Sequence, residues 1–257
     1  MNVKAKKHLG QHFLTDENIA KKIVEGLDFQ PYQYVLEVGP GTGVLTKYLL
    51  EKPTETYVAE IDTESIEYLK LHYQKLENKH FTGDFLKINL SDIFSGEVAV
   101  IGNFPYNISS QILFKIIENY QQIPEMVGMF QKEVAERTAA VPRTKDYGIL
   151  SVLVQAYYDV KYLFTVHENV FNPPPKVKSG VIKLTRNRKE GLEGNEILFK
   201  QIVKTGFGQR RKKLSNALKS LDIPEVLKSH AFMDKRAEEL SVEDFINFTQ
   251  EWKAAKN

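Results

Sequence analysis

The stretch Val35-Leu36-Glu37-Val38-Gly39-Pro40-Gly41-Thr42-Gly43 decides the fold. Its first half is a mostly apolar strand pattern that runs without a break into a glycine turn, and the residues behind it, 45–50, read as a helix. Strand, glycine turn and helix in that order begin an α/β unit. The backbone of such a turn comes close to a ligand, because glycine allows positive φ and carries no Cβ. The spacing is Gly-x-Gly-x-Gly, with Val44 where a dinucleotide fingerprint has its third glycine. The turn therefore argues against a dehydrogenase and against a pyrophosphate at the start of the helix.

Working outward, short apolar runs alternate with amphipathic segments, the rhythm of an α/β domain with a mainly parallel sheet. The pattern predicts strands over 34–38, 56–61, 80–82, 98–102 and 126–131, helices over 45–50 and 65–75, and another helix after Asn103. Residues 148–157 read as a helix, 160–166 as a strand and 180–184 as a closing strand. Upstream, residues 4–14 form a basic arm, and Thr15 reads as the N-cap of a helix whose apolar face is Ile19, Ile23, Val24 and Leu27. Downstream, 185–194 is polar and reads as a linker, after which the period is helical to the end. Ser241 with Glu243 and Asp244 starts the last helix. These readings divide the chain into an α/β domain, residues 1–186, and a small all-helical domain, residues 187–257.

Acidic residues stand at the ends of the next two strands. Glu60 follows the glycine turn by about 20 residues, the spacing at which a carboxylate grips ribose hydroxyls. Asp62 is assigned instead to capping the following helix. Asp84, between Gly83 and Phe85, can accept from an adenine amino group. Ligands of open α/β sheets bind at the carboxyl edges of the strands, so these groups converge on one crevice. An adenosine held by carboxylates without a phosphate site points to S-adenosylmethionine.

The chemistry is placed on Ile101-Gly-Asn-Phe-Pro-Tyr-Asn-Ile-Ser-Ser110. Asn103 offers a side-chain carbonyl, Phe104 a main-chain carbonyl, Pro105 a stiff backbone without an N–H, and Tyr106 a flat face for a base. Such a set suits an exocyclic amine on an aromatic ring, and the loop is similar to the Asn-x-Pro-Tyr loop of amine-directed methyltransferases.

The chain of 257 residues has a net charge of only +2, but the window from Lys200 to Ser220 holds Arg210, Arg211, Lys212 and Lys213 and no acid. That asymmetry implies a polyanionic partner. No cysteine is present, which excludes disulfides and thiolate–metal sites, and no metal site is expected. The lysines at positions 4, 6 and 7 are not followed by the apolar run of a signal peptide, and no stretch is long enough for a membrane span. A cytoplasmic protein with no membrane association is expected.

Gly10-Gln-His-Phe-Leu14, Glu37-Val-Gly-Pro-Gly-Thr-Gly43, Glu60-Ile-Asp62, Gly83-Asp84, Gly102-Asn-Phe-Pro-Tyr-Asn-Ile-Ser109 and Phe171-Asn-Pro-Pro-Pro-Lys-Val177 together resemble the ribosomal RNA adenine N6,N6-dimethyltransferases over nearly the whole chain. The segment Gly206-Phe-Gly-Gln-Arg-Arg-Lys-Lys-Leu-Ser-Asn-Ala-Leu218 resembles the small-subunit branch of that family. The resemblance implies a Rossmann-like methyltransferase domain with a small helical domain, S-adenosylmethionine as donor, and two adjacent dimethyladenosines in the 3′-terminal hairpin of small-subunit ribosomal RNA as product. It implies cofactor contacts at Gln11, His12, Leu14, Gly39, Gly41, Glu60, Asp84 and Asn103. The chain departs from many relatives at Phe104, where they carry Leu, and at His12, where they carry Asn.

From these residues, Asn103 and Phe104 are expected to hold the target amine, and Tyr106 and then Phe171 are the candidates for stacking on the flipped base. Gly206 and Gly208 are expected to bend the chain so that Arg210 to Lys213 meet phosphates. The expected partner is small-subunit ribosomal RNA within a pre-ribosomal particle, bound by a monomer. The rival readings are a large-subunit adenine methyltransferase of the macrolide-resistance kind and a ribosome-assembly factor in which catalysis is secondary.

Overall fold

The structure, a computed structural model, describes residues 3–256. After a short basic arm come β1 (Phe13–Leu14), α1 (Glu17–Val24), β2 (Tyr34–Val38), α2 (Thr46–Leu49), β3 (Glu55–Ala59), α3 (Thr63–His72), α4 (Leu90–Ile93), β4 (Val98–Asn103), α5 (Ser109–Glu118), β5 (Glu125–Gln131) and α6 (Lys132–Thr138). There follow α7 (Ile149–Gln155), β6 (Tyr158–Val166), β7 (Phe171–Asn172), β8 (Ser179–Arg186), α8 (Glu196–Gly208), α9 (Leu214–Ala217) and α10 (Val242–Ala254).

Two compact units result, Met1–Glu136 with Asp159–Arg186, and Arg137–Tyr158 with Asn187–Asn257. The pattern-based boundary at 186/187 thus meets the start of the helical tail, but the second unit also takes in α7. The reason is packing: α7 buries Val152, Leu153 and Val154 and lies against α8.

The first unit is a six-stranded sheet in the order β3-β2-β4-β5-β8-β6, with β1 and β7 as a separate two-stranded ladder. β3, β2, β4 and β5 are parallel, and β8 runs antiparallel to β5. β4 is buried from Val98 to Gly102, as parallel strands covered on both faces are. Alternate residues Ala99 and Ile101, with Val35, Val127, Met129 and Val181, face one core that α1 closes with Ala20, Ile23 and Val24. β2, the first strand of the sheet in the chain, has β3 on one side and β4 on the other. The crevice at its carboxyl end is a topological switch point, where open α/β sheets bind ligands.

Three local readings change. The strand expected at 80–82 is a single parallel bridge between Val58 and Phe81 after a 3₁₀ turn at Asn78–His80. α1 is capped by Asp16, whose carboxylate accepts from Asn18 and Ile19, while the Thr15 hydroxyl donates to the Val170 carbonyl. β8 continues to Arg186, two residues into the expected linker.

The second unit packs α8 against α7 and α10 around Phe199, Phe207, Phe245, Phe248 and Trp252, all buried. Ser241 caps α10 in a reciprocal box with Asp244, as its sequence signature implied. Among the described residues no helix is long and apolar enough to cross a membrane.

Candidate active site

The glycine turn lies at the carboxyl end of β2, where Gly39 (φ +68°) and Gly41 (φ +56°) are both left-handed. A Cβ on Gly41 would sit 2.7 Å from the Phe13 ring, so a side chain is excluded by contact as well as by conformation.

One residue past β3, buried Glu60 turns its carboxylate back toward this turn. Oε1 accepts from the main-chain N–H of Ile61 (2.8 Å) and Asp62 (2.9 Å), and Oε2 from that of Gly41 (3.3 Å). Burial raises its pKa and the three N–H groups oppose the rise. Asp62 caps α3 through Glu64 N–H, accepts from Ser65 Oγ (2.9 Å), and pairs with Lys6. Burial works to raise its pKa, but the bonds from Lys6, Ser65 and Gln11 hold the carboxyl below its ordinary value. Asp84 accepts from Leu86 N–H at 3.0 Å and stands 3.3 Å from Lys87 Nζ.

The catalytic-loop candidates follow β4. Asn103 Nδ2 donates to the His12 carbonyl at 2.8 Å, which leaves Oδ1 as the free acceptor of that amide. Phe104 is buried, and its N–H donates to the Met129 carbonyl at 3.1 Å. Its ring lies over Gly128, where an added Cβ would come within 2.1 Å of it, so the glycine makes the slot that anchors the loop. Pro105 precedes the 3₁₀ turn Tyr106–Ile108. The Tyr106 hydroxyl bonds Ser179 Oγ at 2.6 Å, and its ring stacks on His12 at 5.5 Å between centroids and 29° between planes. His12 Nδ1 is in turn 2.8 Å from the Pro173 carbonyl oxygen.

Gln11, His12, Gly39, Gly41, Glu60, Asp84, Asn103, Phe104, Pro105 and Tyr106 thus border one cleft. Two expected site residues do not. Leu14 and Phe171 are paired across the β1–β7 ladder, and both side chains are buried in the core beneath α1. A ring committed to the core has no face for a base, so the stacking role given to Phe171 is withdrawn. Leu14 borders only a small separate hollow with Glu37, Gly39 and Asn103. Pattern reading missed Ser179, the Tyr106 anchor, and Ile61, which borders the cleft although it is 55% exposed. An apolar residue between two acids was the available signal for Ile61. For Ser179, eight residues beyond Phe171, the sequence carried none.

The basic window lies in the second unit and is less free than its composition implied. Arg210 Nε bonds Glu238 Oε2 at 2.6 Å and its Nη2 donates to the Thr144 carbonyl at 3.0 Å, while Lys213 pairs with Asp234 at 3.0 Å. Arg211 and Lys212 are exposed and have no ion-pair partner among the described residues. Gly206 lies within α8 and Gly208 is its last residue; a Cβ on Gly206 would sit 3.2 Å from the Leu214 side chain, so this glycine serves packing.

The cleft fits an adenosyl group. A Cβ-free turn, a buried carboxylate beside it and a second carboxylate just past the Val58–Phe81 bridge offer acceptors to hydroxyls and an amine, and no Lys or Arg lines the cleft to cradle phosphates.

A family model described as ribosomal RNA adenine dimethylase matches residues 2–254. The chain is 59% identical over 253 residues to the ribosomal RNA small subunit methyltransferase A of Flavobacterium johnsoniae, covering 98% of this chain and 97% of that protein. It is 57% identical over 249 residues to the protein of the same name from Cytophaga hutchinsonii, covering 96% of each. Among solved structures, a dimethyladenosine transferase from Plasmodium falciparum superposes with a TM-score of 0.83 at 26% identity over 95% of this chain and 98% of that one. The 23S rRNA methyltransferase ErmE gives 0.68 at 25% identity, over 94% and 99%.

Proposed function

The chain belongs to the ribosomal RNA adenine dimethylase family, and from that premise we propose that it dimethylates N6 of two adjacent adenosines in the 3′-terminal hairpin of small-subunit ribosomal RNA, within a pre-ribosomal particle in the cytoplasm. The observation that carries the reading is the Asn103 amide held by the His12 carbonyl, with its own oxygen left to accept, inside a cleft that also holds Glu60 and Asp84.

Glu60 would take the ribose of S-adenosylmethionine and Asp84 its adenine amine, with Gly39, Gly41, Gln11 and His12 around them. When bound, the donor supplies a methyl group activated on a sulfonium. The Asn103 and Phe104 carbonyls accept the two hydrogens of the target amine. That favours a pyramidal nitrogen, whose lone pair, otherwise delocalised into the ring, is localised on one face of the base. The gain is one of positioning and of hydrogen bonds that strengthen as the nitrogen becomes cationic. No residue of the cleft has to act as a strong base, because an N-methylated anilinium-like nitrogen loses its proton to water readily. Tyr106 gives the extruded base a face, which replaces lost stacking by about 1–3 kcal/mol.

Small-subunit action is favoured over large-subunit action because relatives named for the small subunit reach 50–59% identity, against 25% for ErmE. The test is mass mapping of methylated adenosines after incubation with immature small subunits and labelled donor, with isolated large subunits in parallel. Two dimethyladenosines near the 3′ end of the small-subunit RNA are expected; label on the large subunit alone would defeat the reading.

A further inference from the structure

Residues 6–12 form an arm of which His8 to His12 border the cleft. The arm is held very differently at its two ends. On the downstream side His12 accepts from Asn103, Thr15 N–H donates to the Val170 carbonyl at 2.9 Å, and β1 pairs with β7. The Thr15 and β1–β7 bonds join main chain to main chain, and the His12 carbonyl is held by the Asn103 side-chain amide.

Upstream of His12, among the described residues, the main chain bonds only within the arm: Leu9 N–H and Gln11 N–H to Lys6 O, Gly10 N–H to Lys7 O. The hydrogen bonds that tie this part to the rest of the unit, among the described residues, run through two side chains. Lys6 Nζ pairs with Asp62 and stands 3.2 Å from Glu64, and Gln11 Nε2 donates to the other Asp62 oxygen at 3.4 Å. Lys6 N–H also donates to Gln11 Oε1 at 2.8 Å, so both ends of the 6–11 turn close on one carboxylate.

That carboxylate is built to receive them. The Asp62 side chain is fully buried and the Lys6 side chain 28% exposed, so the pair is shielded from solvent on the acid's side. Asp62 also donates its N–H to the Glu60 carboxylate, which places the fastening two residues away from the group assigned to the ribose. Gly10, left-handed at φ +66° and so close to Asn107 that a Cβ would lie 2.7 Å from Oδ1, sits between the fixed and the fastened ends.

We infer that Lys6 is a positioning residue for the methyl donor: its ion pair with Asp62 straps the arm over the Glu60 end of the cleft, and donor entry and exit require that pair to break. The inference rests on the reading of the cleft as the donor site. Lys6 touches no reacting atom in this account. It acts by holding Gln11 and His12 in place, and the energy of the pair enters donor affinity as a coupling between arm closure and binding.

The experiment compares the full-length wild type with Lys6→Met and Lys6→Arg. Three quantities are measured: S-adenosylmethionine affinity by calorimetry, kcat and KM for the donor, and the rate of tryptic cleavage after Lys7 with and without S-adenosylhomocysteine. Lys6→Met is expected to raise the donor Kd and KM by roughly five- to tenfold, the low end of the usual coupling range, and to leave kcat at saturating donor within about twofold. Cleavage after Lys7 should quicken, and the nucleoside should protect the wild type far better than the variant. Lys6→Arg should restore all three. An unchanged Kd and unchanged cleavage in Lys6→Met would overturn the role of Lys6 while leaving the donor site intact. A wild type that binds no donor would overturn the reading of the cleft itself, and this inference with it.

Discussion

Asn103 donates its side-chain N–H to the main-chain carbonyl of His12, 91 residues earlier in the chain, at 2.8 Å. One bond thereby fixes which end of the carboxamide faces the cleft and pins the amino-terminal arm to the end of β4. Asn103→Ala removes both the acceptor for the target amine and the tie to the arm. Turnover is expected to fall by at least about 10²–10³-fold, the usual cost of losing a preorganised polar group, while donor affinity changes several-fold at most. Asn103→Asp keeps an acceptor but cannot donate to His12, and should lose activity nearly as far. Single-turnover rates with saturating donor check both; a rate near that of the wild type in Asn103→Ala would remove the residue from the mechanism.

Tyr106 contributes a ring and a hydroxyl, and the two separate by substitution. Tyr106→Phe loses only the 2.6 Å bond to Ser179, and its ring can still stack on His12. Tyr106→Ala loses the face, and should weaken productive RNA binding by about 1–3 kcal/mol, or roughly 5–150-fold. The contrast is read as RNA KM in the two variants: a large loss in Tyr106→Phe would assign the effect to the hydroxyl.

In the second unit Arg211 and Lys212 are exposed cations, whereas Arg210 is engaged with Glu238 and the Thr144 carbonyl. Neutralising Arg211 and Lys212 together should reduce the slope of log K for RNA against log salt by about 1.4–1.8, since each phosphate neutralised contributes roughly 0.7–0.9. The melting temperature should barely move. Arg210→Ala should instead lower thermal stability, by about 1–2 kcal/mol for the lost charged hydrogen bonds. Filter binding across a salt series with parallel melts distinguishes the two, and an unchanged slope in the double variant would take these side chains out of RNA binding.

Glu37 is buried in β2 and accepts from Thr46 Oγ1 at 2.6 Å. Burial pushes its pKa up to about 8, with the Thr46 bond opposing and the nearby Glu60 charge adding to the rise. An unfolded glutamate titrates near 4.3. Between the two values the folded chain holds a proton that the unfolded chain has lost. The stabilisation is therefore complete below about pH 4 and drains away as pH rises toward 8, by up to about 1.4 kcal/mol per pH unit. Glu37→Gln mimics the protonated acid and should flatten that decline, matching the wild type near pH 4 and exceeding it at pH 8–9. Melting curves across this range decide it; parallel declines in the two proteins would mean Glu37 is not protonated in the folded state.

The sheet and its ligand edge were legible because they depend on local rules. A buried strand running into Gly39-x-Gly41-x-Gly43 has few alternatives, and the acid that follows the neighbouring parallel strand, Glu60, reaches the same edge by topology alone. Asp62 was separated from Glu60 correctly because capping is also local: Asp62 does cap α3. The misreadings have the opposite character. Phe171 beside a proline run has the same sequence appearance whether its ring faces solvent or, as here, pairs with Leu14 in the core. Arg210 is indistinguishable from Arg211 in composition, and only the arrival of Glu238, 28 residues later, sets them apart. The extent of the second unit was hidden for a similar reason, since α7 has a helical period in any setting and its partner α8 lies beyond three strands.

That discontinuity bears on how the protein is made. Residues 137–158 leave the ribosome before β8, yet the side of α7 that packs on α8 finds that cover when α8, in the 187–257 segment, has been synthesised. A nascent chain arrested near residue 190 therefore leaves that side of α7 without its partner, a surface for chaperones or for aggregation. Premature stop codons in the last quarter of the gene should accordingly yield polypeptides that are degraded, and not a shortened enzyme lacking only its last helices.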